Sequence, residues 1–129
     1  MRIRRNESYR YELDDQPAGS FYLERNGKRS SAGKMKVFNI SPSGLAILTS
    51  LQLPVEPDTK IIVSFSLDHA GDAFEFKGRI MHHKWIGQQH LYGLLLETSS
   101  SDQQRITQAV KRHAKERHER RKRAANMPL

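Results

Sequence analysis

Two short segments of this chain carry groups that suit one kind of ligand. The first, Arg4-Arg5-Asn6-Glu7-Ser8-Tyr9-Arg10, puts three guanidinium groups on a short stretch near the start. Arginine is always charged and presents a rigid fork of donors, so it can grip a guanine edge at O6 and N7, grip phosphate oxygens, or stack on a base plane. The second segment, Asn39-Ile40-Ser41-Pro42-Ser43-Gly44, reads as a small polar turn between two apolar strands. Asn39 can donate to or accept from a base edge, and Ser41 adds a hydroxyl. Gly44 lets backbone approach closely or take a positive φ. Together the two segments suit a planar, anionic, hydrogen-bonding molecule, as a guanine nucleotide is. Each segment alone has a plainer reading: a solvated basic arm, and an ordinary Asn/Ser turn that opens a strand.

The elements that must position these groups are mostly strands. Phe21 to Arg25 is a short strand followed by Asn26-Gly27, a strong hairpin signal because both residues tolerate positive φ. Lys34 to Phe38 and Gly44 to Leu48 form two more, flanking the polar turn. Pro54 and Pro57 break the chain. Ile61, Val63, Phe65 and Leu67 alternate with Lys60, Ile62, Ser64 and Ser66 at the period of a strand. A turn is expected at Gly71-Asp72. Phe74 to Trp85 is a long strand with Phe74, Phe76, Gly78, Ile80 and His82 on one side, then a turn at Ile86-Gly87-Gln88, then a last strand over Leu91 to Leu96. Short strands with tight turns predict an antiparallel barrel or sandwich. The period then changes. Ser101 or Asp102 can cap a helix whose packing face is Ile106, Ala109, Val110 and Ala114. Beyond Ala114 the apolar stripe stops.

The chain has 129 residues and a formal charge of +8, which suits one domain able to bury its own core. The charge is concentrated at the ends. Lys111 to Arg123 holds eight Lys or Arg against two Glu, and residues 2–10 hold four Arg against one Glu. Attraction for nucleic acid, an acidic protein or lipid would live there. There are no cysteines, so disulfides and thiolate chemistry are excluded. The basic start is not followed by an apolar run, and no window approaches the roughly 18–20 apolar residues of a membrane span. A cytoplasmic protein with no transmembrane segment is expected.

Other candidate sites read more simply as structure. His82 and His83 are strand neighbours and point to opposite faces, so they cannot easily chelate one ion with His90, and no metal site is expected. Glu12, Asp14 and Asp15 read as a polar entry into a turn at Gln16-Pro17. Gly27-Lys28 lacks the upstream glycine of a phosphate loop. Trp85 is expected to pack in the core or at its rim. No catalytic constellation can be identified, and nothing requires an enzyme.

At its two polar segments the chain resembles the PilZ family of bacterial cyclic di-GMP receptors. Members carry an Arg-x-x-x-Arg motif on a leader before a barrel, and later an Asp/Asn-x-Ser-x-x-Gly motif. Asn39, Ser41 and Gly44 match the second motif without a gap. Its flanks fit as well: Val37-Phe38 before it, Leu45-Ala46-Ile47 after it, and the late strand Tyr92-Gly93-Leu94-Leu95-Leu96. In the first motif Arg10 takes the second arginine position. Arg5 takes the first, with Arg4 as its competitor; four residues separate Arg5 from Arg10, one more than the family pattern.

The resemblance implies a single six-stranded antiparallel β-barrel with a C-terminal α-helix. The leader would span 1–12, the barrel 13–100, an amphipathic then basic helix 101–124 and a tail 125–129. It also implies a cyclic di-GMP receptor with no cofactor, whose ligand is held by Arg5, Arg10, Asn39, Ser41 and Gly44. Its leader would order on binding and so create a surface for a partner protein. Two alternatives remain: a barrel that binds nucleic acid through Lys111–Arg123, and a degenerate family member acting only as a protein adaptor.

Overall fold

The strand order around the molecule follows from hairpins that pair neighbours in sequence and from two longer-range pairings. The computed structural model describes residues 10–67 and 73–125, with side chains through residue 122. Its elements are β1 (Tyr11–Glu12), β2 (Ala18–Arg25), β3 (Lys28–Arg29), β4 (Gly33–Ser41), β5 (Gly44–Thr49), β6 (Lys60–Ser66), β7 (Ala73–Ile86), β8 (Gln89–Leu96) and α1 (Ser100–Ala125). The hydrogen-bonded order is β1-β4-β5-β8-β7-β6-β2-β3, and β2 pairs again with β4. That extra pairing, with Gly19 opposite Met35 and Phe21 opposite Gly33, closes six strands into an antiparallel barrel. The two-residue strands β1 and β3 are appendages. The barrel with its C-terminal helix is the architecture that the sequence predicts. The expected Gly71-Asp72 turn lies outside the described residues.

Local chemistry accounts for the ribbons. Asn26 (φ 53°) and Gly27 (φ 76°) both take left-handed backbone, the geometry of a tight hairpin turn. Gly87 (φ 60°) does the same in the β7–β8 turn, which is the two-residue step Gly87-Gln88, with Ile86 still paired to Gln89. Ile61, Val63, Phe65 and Leu67 alternate inward and are buried, as expected. They meet Phe74 and Phe76 of β7, whose rings stack with centroids 5.9 Å apart, and Phe65 stacks on Phe74 at 5.5 Å.

Two bulges break the simple alternation, and both matter for the outer surface. Pairing shifts between Val37 and Asn39, so Val37 and Ile40 both point into the core although they are three residues apart. It shifts again between Ile80 and His82, where Met81 is the extra residue. His82 is therefore not on the side of Phe74, Phe76 and Ile80, as strict alternation predicts. It lies opposite Gly93 on the outer face, while His83 and Trp85 pair with the inward positions Tyr92 and His90.

At that end of β7 the hairpin outruns the core. The His83 and His90 rings share a hydrogen bond of 2.7 Å between Nε2 and Nδ1. Trp85 lies over His90 with ring centroids 4.1 Å apart and is 60% exposed. The expected core or rim position for Trp85 is thus corrected to a hairpin tip: its inward-facing register continues past the point where the barrel has anything to enclose.

Helix α1 is capped by Ser99, not by Ser101 or Asp102 as the sequence suggested. The Ser99 hydroxyl accepts from the Asp102 amide at 3.0 Å, and the Asp102 carboxylate accepts from the Ser99 amide at 2.9 Å. This is a reciprocal capping box. Of the three consecutive serines, only Ser99 has an acidic residue three positions on, where the helix dipole favours negative charge. The bonds from the Ser99 amide and then its hydroxyl hold the Asp102 carboxyl below the usual aspartate range. Ile106 and Ala109 enter the barrel core, with Val110 packed against it. The next fully buried position is His113, with Ala114 only half-buried.

Candidate functional site

Bringing an N-terminal arginine to the barrel requires that its neighbours be fixed there. Tyr11 pairs with Ile40 and Glu12 with Asn39, so β1 runs along the outer edge of β4. One step beyond the Glu12–Asn39 pair, the Phe38 carbonyl accepts from the Leu13 amide at 3.0 Å. Arg10 is thereby delivered to the start of the polar motif. Its Nη1 donates to Asn39 Oδ1 at 3.1 Å.

Gly44 completes the contact. A Cβ built there would lie 2.9 Å from Arg10 Nη2, 3.3 Å from Nη1 and 2.9 Å from Ser41 Oγ. The guanidinium sits over bare backbone, and any side chain at position 44 would displace it. Arg10, Asn39, Ser41 and Gly44 are thus brought together. Arg4 and Arg5 lie outside the described residues. The sequence put Asn39 to Ser41 in a turn; they belong to β4, because the bulge lets pairing continue to Ser41 opposite Gly44. Only Pro42 and Ser43 turn. Ser41 is buried at 2% exposure, so its hydroxyl is part of the wall, not a mobile surface group.

Beside Arg10 and Asn39 the outer sheet face forms a cleft of about 280 Å³. Its floor is Ala46 and Gly93, its far wall His82, and Lys84 and Leu91 lie along it. Among the described residues that line it there is no carboxylate, and Arg10 and Lys84 are cations, so the cleft favours an anion.

A second cluster ties the same leader to the helix. The Tyr11 hydroxyl is 2.9 Å from His113 Nδ1, and His113 Nε2 is 3.1 Å from Asp15 Oδ2. A carboxylate only accepts, so in the neutral ring Nε2 carries the proton and Nδ1 accepts from the tyrosine. Asp14 Oδ2 accepts from Arg121 at 2.9 Å, and Arg117 lies 3.5 Å away. Asp14 and Asp15, expected as a polar entry into a turn, instead bind the helix, and His113 is a residue that the sequence patterns did not single out. The signal was present, since His113 continues the Ile106, Ala109 spacing around the helix.

The fold and the motif define a class. The sequence matches the PilZ domain family over residues 4–112. The chain belongs to that family. No curated protein matches it in sequence. Among solved structures it is similar to MrkH from K. pneumonia in its apo state, with a TM-score of 0.64 and 14% identity over 93% of this chain. It spans only 56% of the MrkH chain. It is also similar to the PilZ domain of YcgR from Escherichia coli, solved with c-di-GMP, with a TM-score of 0.59 and 17% identity. That match covers 90% of this chain and 98% of the other. At such identities the likeness shows the shared fold.

Proposed function

We propose that this chain is a non-enzymatic receptor that binds cyclic di-GMP at Arg10, Asn39, Ser41 and Gly44 and passes the bound state to a partner protein. The observation that carries the reading is the Arg10 guanidinium, bonded to Asn39 and seated over Gly44 in a member of this family. The YcgR PilZ domain of like fold was solved with c-di-GMP. Arg5, or Arg4 in its place, supplies the second guanidinium. Ligand phosphates and guanine edges recruit these forks from the leader, which orders against the barrel and forms the partner surface. A chain without cysteine suits the reducing cytoplasm, the compartment that goes with this reading.

The test is a calorimetric titration of the intact chain with cyclic di-GMP. Binding is expected, and Arg10→Ala should weaken it by about ten- to a hundredfold, since a charged hydrogen bond is worth about 1.5–3 kcal/mol. Unchanged affinity in Arg10→Ala would mean that the site is misplaced.

A second reading rests on the exposed cations of α1, Lys111, Lys115, Arg120 and Lys122, which suit a nucleic-acid backbone. Asp14 draws Arg117 and Arg121 out of that set. If the chain ignores cyclic di-GMP, yet binds RNA at physiological salt and loses that binding on changing the three lysines to Gln, this reading replaces the first. A chain that binds neither is a protein adaptor alone.

A further inference from the structure

We infer that His82 is the stacking platform for a guanine base of the ligand, forming the far wall of the site from a strand that carries neither motif. The inference rests on the cyclic di-GMP reading and adds a residue to it. One continuous cross-strand row runs over the outer face of the barrel. Asn39 on β4 lies opposite Ala46 on β5, Ala46 opposite Gly93 on β8, and Gly93 opposite His82 on β7. Paired residues in a row share a face. The two middle positions carry at most a methyl group, so the row is a flat floor with a polar wall at each end.

The dimensions suit a nucleobase. Three strand spacings at about 4.8 Å place Asn39 and His82 roughly 14 Å apart; with the imidazole lying over Gly93, a purine has room over Ala46 with one face against that ring. Arg10 and Asn39 address the hydrogen-bonding edges at one wall. At the other, the His82 imidazole offers an aromatic face; His83, the second ring lining the cleft, is in the inward register and is tied to Tyr92 and His90. Lys84, two residues further along β7, also lines the cleft and supplies a cation for a phosphate.

Two features hold the ring there. The Met81 bulge sends His82 outward, where strict alternation from Phe74 would send it in. The missing side chain at Gly93 then makes room: a Cβ there would lie 2.4 Å from His82 Cδ2 and 3.0 Å from Nε2. The imidazole therefore rests on the Gly93 backbone while staying exposed to the cleft. Aromatic platforms of this kind accept any base by its π-face, so His82 contributes affinity, and selection for guanine falls to Arg10 and Asn39.

The experiment is titration of the intact chain, His82→Ala, His82→Phe and His82→Trp with cyclic di-GMP, with thermal unfolding of each run alongside. His82→Ala should bind about tenfold or more weakly. His82→Phe and His82→Trp should stay within about threefold of the intact chain, because stacking strength survives while the ring nitrogens are gone. His82→Trp should also show ligand-dependent quenching beyond that of Trp85 alone. All variants should melt close to the intact chain. Binding by the intact chain with an unchanged His82→Ala overturns the platform and leaves the receptor reading standing. Equal losses in all three variants overturn stacking and make a ring nitrogen the contact. No binding by the intact chain overturns both.

Discussion

The Tyr11 hydroxyl and His113 Nδ1 lie 2.9 Å apart across 102 residues of sequence. The rings also meet edge-on, with centroids 5.6 Å apart. Tyr11 follows the arginine that reaches Asn39, and His113 stands on the helix where the apolar stripe gives way to charge. The end of the leader is therefore held from two sides, by β4 backbone and by a helix side chain.

Replacing His113 with Ala leaves a cavity and strips partners from Tyr11 and Asp15. We expect a loss of about 1–3 kcal/mol, read as a lower midpoint in denaturant or heat. If the helix steadies Arg10 through Tyr11, cyclic di-GMP affinity falls as well, even though His113 lies outside the cleft. A variant that is destabilised yet binds normally would limit the clamp to folding.

Gly44→Ala separates seating from stability. The added methyl would lie 2.9 Å from the tip of Arg10, a flexible end that can swing away at little cost to the fold. The expected outcome is a melting temperature near that of the intact chain and an affinity reduced about tenfold, in keeping with one displaced charged contact. A large drop in melting temperature would show that Ser41, buried beside it, cannot yield.

The leader spacing gives a third test. One residue beyond the family pattern adds about 3.3–3.6 Å of extended chain, which a small bulge can absorb. Arg5→Ala should then weaken binding more than Arg4→Ala, and deleting Asn6 should preserve or improve it. Titrations in which neither single change has an effect would remove the first half of the motif from the site.

Acid should fray the start of α1 before it unfolds the barrel. The Asp102 carboxyl is held below its ordinary range by Ser99, so its folded value is depressed relative to the unfolded chain. Its contribution is fully present above the ordinary aspartate range near pH 4 and is lost as pH falls through that range to the lower folded value. Protection of the first-turn amides of α1, taken relative to their intrinsic exchange rates, should fall over that interval. Asp102→Asn should lower that protection at neutral pH and leave it flat across the acid range.

Much of this was legible in the sequence because it is local. Asn26-Gly27 needs only its own backbone preferences, and Ile61, Val63 and Phe65 need only a period of two. Arg10, Asn39, Ser41 and Gly44 could be picked out by residue type and order. The bulges at Phe38 and Met81 could not be, because they arise from pairing with other strands, and they decide that Asn39 sits on a strand and that His82 faces out. Ser99 is followed by two more serines, and only the acid three residues on marks it as the cap. The His113 clamp joins residues too distant for any local pattern to connect, and a histidine on an apolar stripe looks like an interruption until its partners are known.

Strand β5 has a consequence for how the chain is made. All six of its residues, Gly44 to Thr49, are buried: β4 and β8 flank it, Leu45 and Ile47 face the core, and Arg10 lies over Gly44. A ribosome releases β4 and β5 long before it reaches β8 at residues 89–96. In that interval Leu45-Ala46-Ile47-Leu48 is an uncharged, proline-free strand with an open edge, the composition that pairs with copies of itself. Shortened products ending before β8 would therefore be more hazardous to the cell than absent ones. The strand that starts with the motif glycine is thus protected only once β8 has paired with it.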